Sequence, residues 1–166
     1  MTMPHATSAA TALAVALGAS ADADRGACES WAIAGVVPAL VARPSDAAEV
    51  AATVAAAAAS GAALVPLGLG AHRGLGHPPA RYDLALVTER LARIRDYTPA
   101  DMTLTVEAGT TVAALDAVLA REGQWLPLEP PVPNVTTVGG LLAADLAGPL
   151  AASQGRARDF VIGVEV

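Results

Sequence analysis

The segment Pro66–Gly76, PLGLGAHRGLG, follows directly on the short apolar run Ala62–Leu67, so the chain must leave a buried strand through a turn built on Gly68, Gly70, Gly74 and Gly76. Glycine tolerates left-handed backbone, and without a Cβ it lets main-chain N–H groups approach another group closely. Spacing alone leaves two readings open: a sharp turn with no ligand, or a cradle whose amides face a diphosphate. The segment is not a Walker loop, because it has no Gly-Lys-Ser/Thr. Pro78 and Pro79 also stop a long helix from starting promptly after Gly76, as a Rossmann fingerprint would require.

The flanking sequence reads as helices and strands in alternation, an α+β pattern. Residues 1–30 read as a lead-in, helical over Thr7–Gly18 or partly disordered, that ends in the polar patch Asp22–Ser30. Val36, Val37, Leu40 and Val41 form a β-prone run closed by Pro44. Ser45 stands where a helix cap is needed, with Asp46 and Glu49 in the first turn, and Gly61 stops that helix after Ser60. Asp83–Thr88 reads as a strand. Ile94–Thr98 and Thr103–Glu107 read as a pair joined by a turn at Pro99–Asp101, and Thr111–Glu122 as a helix ended by Gly123, with Leu115, Val118 and Leu119 on one face. Pro127, Pro130, Pro131 and Pro133 make Leu126–Asn134 an extended loop, since each removes a ladder hydrogen bond. A helix from Gly139 through Asp145 follows, and Phe160–Val166 alternates as a strand.

A second constellation, PNVTTVGG, places the Thr136 and Thr137 hydroxyls before the Gly139–Gly140 pair at a helix start. It reads either as an ordinary capped helix or as an anion site with exposed amides. The formal charge of −6, with no basic stripe, argues against a nucleic-acid partner. One cysteine and three histidines exclude a disulfide framework and leave little from which to build a metal site. Cys28 reads as a small semi-buried residue or a free thiol. Met1–Ala21 lacks the basic start of a signal peptide, and no run is apolar and long enough for a membrane span, so a cytoplasmic protein is expected. Arg90, Arg93, Arg95, Arg156 and Arg158 read as solvated surface, Trp31 and Trp125 as packing residues, and His5 and His77 as solvent-facing.

Taken in order, these segments resemble the FAD-binding domain of the vanillyl-alcohol oxidase and p-cresol methylhydroxylase (PCMH-type) superfamily, and most closely the flavin subunit of bacterial glycolate oxidases. The resemblance runs from Gly35 to Val166. It rests on Val37-Pro38 with Pro44-Ser45 and Glu49-Val50, then PLGLGAHRGLG. Val106–Thr110 with Leu115 follows, and Gly123–Pro127 leading to Pro130-Pro131. Thr137–Gly140 with Gly148, and Gly155 with Asp159–Gly163, complete it.

The resemblance implies a PCMH-type fold, a small parallel or mixed sheet followed by a second mixed sheet flanked by helices, incomplete at the C-terminus. Residues 31–166 would form the N-terminal and central part of that domain, with the substrate domain absent. It further implies FAD held by Pro66, Gly68, Leu69, Gly70, Ala71, His72, Pro131, Thr136, Thr137, Gly139, Gly140, Gly148 and Ile162. The reaction implied is oxidation of a 2-hydroxy acid such as glycolate, with other oxidase subunits or a completing chain as partners. No catalytic acid, base or nucleophile is identified. The alternative is a truncated remnant or interaction subunit that holds no flavin. The chain departs from the family at Ala71, where a hydroxyl is common, and at Asp145, whose carboxylate would be unfavourable near an anionic cofactor unless it points away. His72 is offset by one from the histidine that carries covalent flavin in some members, so the resemblance implies non-covalent FAD, with His72 as an exposed loop residue or a donor to phosphate.

Overall fold

The computed structural model describes residues 5–165, with the side chains of 9–165. The expectations for His5 and for Val166 lie outside that range. The centre of the first sheet is β4 (Leu84–Val87), whose four residues are all buried. A continuous apolar run suits a strand covered on both faces. It pairs in parallel with β2 (Leu40–Ala42) on one side and β3 (Leu64–Leu67) on the other, and β1 (Ala21–Asp22) joins β2 antiparallel, giving the order β1-β2-β4-β3. Pro66 lies in β3, at the sheet edge, where a missing N–H costs no ladder bond.

Three α-helices belong to this part of the chain. The first, α1 (His5–Leu17), is not a loose lead-in: Leu13 is fully buried against Leu40, Ala42, Ala57 and Leu84. After the short α2 (Arg25–Glu29) and β2 comes α3 (Ala47–Ser60). Its cap is Asp46, whose carboxylate accepts from the Glu49 amide at 2.8 Å, and not the expected Ser45. Ser45 instead donates its own amide and hydroxyl to the Glu49 carboxylate, so the reciprocal capping motif is shifted by one residue. Gly61 ends the helix in the left-handed region. The opposite sheet face is covered by Cys28, Val41, Tyr82, Ala85 and Val87 with Trp31 against them. Burial pushes the Cys28 thiol up, and pushes the Tyr82 hydroxyl, which donates to the Trp31 carbonyl, up to about 12.

The described chain divides into two compact units. One runs to Leu67 and resumes over Arg73–Leu91; the other comprises Gly68–His72 and the chain from Ala92 onward. In the second unit β5 (Ile94–Thr98) and β6 (Thr103–Val106) form an antiparallel pair with an irregularity between Ile94 and Asp96. The helices α4 (Val112–Leu119), α5 (Val138–Ala144) and α6 (Ala151–Gln154) follow. Val112, Leu115 and Leu119 are the buried stripe of α4, with Val118 at its margin. Val112, Leu141 and Ala157 share a core with Leu128, Leu142 and Leu146.

Several sequence expectations for this unit change. The strand expected over Phe160–Val166 is absent from its described residues: Ala157–Phe160 is a 3-10 turn, residues 161–165 have no ladder partner among the described residues, and Ile162 is 88% exposed. Alternation supplies a face but not the neighbouring strand a ladder needs. Trp125 is exposed rather than packed, whereas Trp31 is half-buried beneath the Arg73 guanidinium. Arg93 and Arg95 are not idle surface cations. Arg93 immediately precedes β5 and Arg95 lies within it, and both reach the buried Glu107 carboxylate: Arg93 through its Nε and its backbone amide, at 3.0 and 2.9 Å, and Arg95 through Nη2 at 2.8 Å. The hydrogen bond from Arg93 is the main reason the Glu107 carboxyl is held down to about 2, below its ordinary value of 4.5. Among the described residues, no helix is long and apolar enough to cross a membrane, and no group of His, Cys, Asp and Glu could hold a metal ion.

A carboxyl whose pKa is depressed on folding contributes stability above its unfolded value, and that contribution is lost as pH falls toward the folded one. Glu107 should therefore steepen the loss of thermal stability between about pH 4.5 and about pH 2. Glu107→Gln would turn an amide N–H toward the guanidinium donors, lowering stability near neutrality by about 1–3 kcal/mol. Its melting temperature should fall less with acid than that of the wild type; equal slopes would contradict the assignment.

Candidate functional site

The glycine loop leaves β3 at Leu67, and its first residues settle on the start of α5. A Cβ on Gly68 would lie 2.9 Å from Thr137 Cγ2 and clash outright with Thr137 Oγ1, so only glycine permits this approach. Gly70 turns the loop at φ 76°, left-handed backbone that a side chain disfavours. Beyond these, the backbone amides of Gly68, Leu69, Ala71 and His72 find no acceptor among the described residues. The His72 imidazole is half-buried, and its Nε2 is buried without a hydrogen-bond partner.

The Thr136–Gly140 segment behaves differently from the exposed-amide reading. Val138 N–H donates to the Thr110 carbonyl and Gly139 N–H to the Ala108 carbonyl, both at 2.8 Å. Gly140 N–H donates to Thr137 Oγ1 at 3.1 Å, so Thr137 is the cap of a helix only seven residues long. The Thr136 hydroxyl donates back to the Val132 carbonyl at 3.0 Å. These groups are therefore spent inside the fold, and the reason is their proximity to the turn over 107–110. The glycines serve close packing: a Cβ on Gly139 would stand 2.9 Å from the Ala108 Cβ and 3.0 Å from its carbonyl oxygen.

The helix after the double glycine begins one residue earlier than expected, at Val138, and ends at Asp145, which lies in the left-handed region at φ 44° as the C-cap. Its carboxylate pairs with Arg156, Nε to Oδ1 3.3 Å, and Arg156 Nη2 also donates to the Asp145 carbonyl at 3.0 Å. Arg156 is thus a partner that offsets the Asp145 charge and not simple surface.

The structure brings Gly68 and Gly140 against Thr137, and Gly139 against Ala108. Pro66 precedes the loop as an exposed strand residue, and Pro131 is exposed beside the buried Pro130. Gly148 packs on the Glu129 carbonyl, where a Cβ would come within 3.2 Å, and Ile162 projects into solvent. Sequence reasoning missed the supporting roles of Glu107, Ala108 and Thr110. The available signal was the Arg93-x-Arg95 spacing, which puts two cations on one face of extended chain opposite an acid.

A cavity of about 650 Å³ in the first unit is lined by Arg43, Glu49, Thr53 and Arg90 among others, and contains none of the residues expected to hold a cofactor. Its charges are largely committed: Arg43 Nε pairs with Glu89 at 2.9 Å, and Glu49 is held by Ser45. The better fit to a ligand is the glycine loop. Unbonded amides, little side-chain bulk and an orphaned ring nitrogen suit the acceptor oxygens of a diphosphate such as that of FAD.

A family model described as an FAD binding domain matches residues 38–166. The glycolate oxidase subunit GlcE of Escherichia coli (strain K12) is 39% identical over 74 residues, 44% of this chain and 21% of that protein. The D-2-hydroxyglutarate dehydrogenase of Xanthomonas citri pv. viticola is 31% identical over 129 residues, 78% of this chain and 27% of that protein. Among solved structures, alkyldihydroxyacetonephosphate synthase superposes with a TM-score of 0.74 at 19% identity, covering 98% of this chain and 36% of that one. Substrate-bound p-cresol methylhydroxylase does so with a TM-score of 0.66 at 14% identity, covering 87% and 30%. At such identities the superpositions speak to the fold alone. The chain spans only 21% and 27% of the lengths of the two curated relatives. With the family model covering residues 38–166, most of its length, the chain belongs to the FAD binding domain family.

Proposed function

We propose that this chain supplies the phosphate-gripping part of an FAD-dependent oxidoreductase that oxidises a 2-hydroxy acid such as glycolate. The observation that carries this reading is the open row of amides at Gly68, Leu69, Ala71 and His72. A diphosphate offers several anionic acceptors at once and satisfies such a row without help from side chains. In the proposed site Pro66 directs the chain into the loop and Gly68–His72 face the phosphates. Thr136, Thr137, Gly139 and Gly140 back the loop by packing, and Pro131, Gly148 and Ile162 complete the contacts with the nucleotide.

Bound FAD would supply the electron chemistry, while this chain binds and orients it. The substrate class is supported by the two relatives, whose names both refer to 2-hydroxy acids. Residues that handle substrate would come from a separate substrate domain or from a partner subunit; GlcE is itself named as a subunit. Attachment is non-covalent and the location cytoplasmic in this reading.

Titrating FAD into the purified chain should quench flavin fluorescence to saturation, and acid denaturation should release all the flavin. A chain that leaves FAD fluorescence unchanged would favour the flavin-free interaction module instead. Gly70→Ala forces a side chain into the left-handed region at a cost of about 1–2 kcal/mol, so FAD affinity should fall roughly 5- to 30-fold. Gly68→Ala should lower thermal stability, and Thr137→Ala should do so through the lost cap. The double variant should lose less than the sum, because removing Thr137 Oγ1 and Cγ2 makes room for the new methyl group. Additive melting-temperature losses would refute the contact.

A further inference from the structure

His72 ends the loop segment that carries the open amides, yet its side chain is treated by the fold in a way no packing argument explains. Its Nε2 is buried and bonded to nothing among the described residues. A buried ring nitrogen that has given up water without gaining a partner is disfavoured, and an apolar side chain would fill the same space without that penalty. The neighbouring unbonded groups, the amides of Leu69, Ala71 and His72 itself, are all donors. In the tautomer with its proton on Nε2 the imidazole is a donor too. Donors gathered in this way complement a cluster of anionic oxygens.

We propose that His72 Nε2 is a side-chain hydrogen-bond donor to the diphosphate of the bound dinucleotide, adding to a grip otherwise made by backbone. The proposal rests on the reading of the loop as a phosphate cradle. It also defines what His72 is not: a ring nitrogen that donates its N–H to phosphate cannot at the same atom be alkylated by a flavin. Glutamine, whose side-chain amide nitrogen can occupy nearly the place of Nε2, should substitute for it; alanine should not.

The test uses the whole chain with its histidines 15N-labelled, titrated in turn with inorganic pyrophosphate, ADP, FAD and adenosine, beside His72→Ala and His72→Gln. Pyrophosphate, ADP and FAD should each move the His72 Nε2 resonance, and adenosine should not. His72→Ala should weaken ADP and FAD by about tenfold to a hundredfold, as expected for a hydrogen bond to a charged group, while His72→Gln keeps most of the affinity. If FAD binds the wild type without moving that resonance, and binds His72→Ala equally well, the His72 role is overturned and the FAD reading stands. If pyrophosphate moves the resonance but FAD does not bind, the His72 role stands and the FAD reading falls. If the wild type binds none of the phosphate ligands, both fall. Should His72→Ala fail to fold, as judged by its circular dichroism, the wild-type resonance alone decides.

Discussion

The second unit depends on one buried carboxylate. Glu107 stands at the end of β6 and takes hydrogen bonds from the backbone and guanidinium of Arg93 and from the guanidinium of Arg95, so it ties the turn after β6 to the strand opposite. An isolated carboxylate in that position would be neutral or would be pulled out to water; paired this way, the carboxyl is held well below the usual carboxylate range, chiefly by the hydrogen bond from Arg93. The turn so fixed presents the Ala108 and Thr110 carbonyls, which accept the first amides of α5. Thr137, which caps that helix, is in turn the surface against which Gly68 lies. A surface-looking acid thus governs the position of a loop far from it in sequence.

This order of dependence assigns the two glycine-bearing segments different work. Both look alike as strings, small residues beside hydroxyls, and both were readable as anion sites. In the fold one spends its N–H groups on neighbouring carbonyls and the other keeps them. An amide donates effectively to one acceptor, so the Val138, Gly139 and Gly140 amides could serve a phosphate only by breaking bonds that hold α5 in place. The glycine loop has no such commitment at Gly68, Leu69, Ala71 and His72.

Much of the architecture was legible because its signals are local. Gly61 and Gly123 end helices in the left-handed region, and the prolines of 127–133 keep that stretch out of regular structure. What was not legible depends on partners distant in sequence. The shift of the cap from Ser45 to Asp46 turns on whether the Ser45 hydroxyl or the Asp46 carboxylate reaches the Glu49 amide. The Phe160–Val166 alternation carried no information about whether a neighbouring strand exists. Arg93, Arg95 and Arg156 looked like solvated charge because a single sequence does not mark Glu107 and Asp145 as their partners.

The Asp145 carboxylate shows how a departure from a family pattern can be absorbed. Placed next to an anionic cofactor it would oppose binding, yet the residue is the C-cap of α5 and its charge is met by Arg156, which also bonds its carbonyl. Asparagine or glycine adopts the left-handed conformation with little strain, and aspartate shares that tolerance because its short side chain bonds locally. The position therefore selects for backbone geometry first, and the added charge is tolerable because a cation eleven residues on lies within reach. The same logic applies to Ala71. Losing a hydroxyl there removes one candidate donor, but the loop retains the amides on which the proposed site relies.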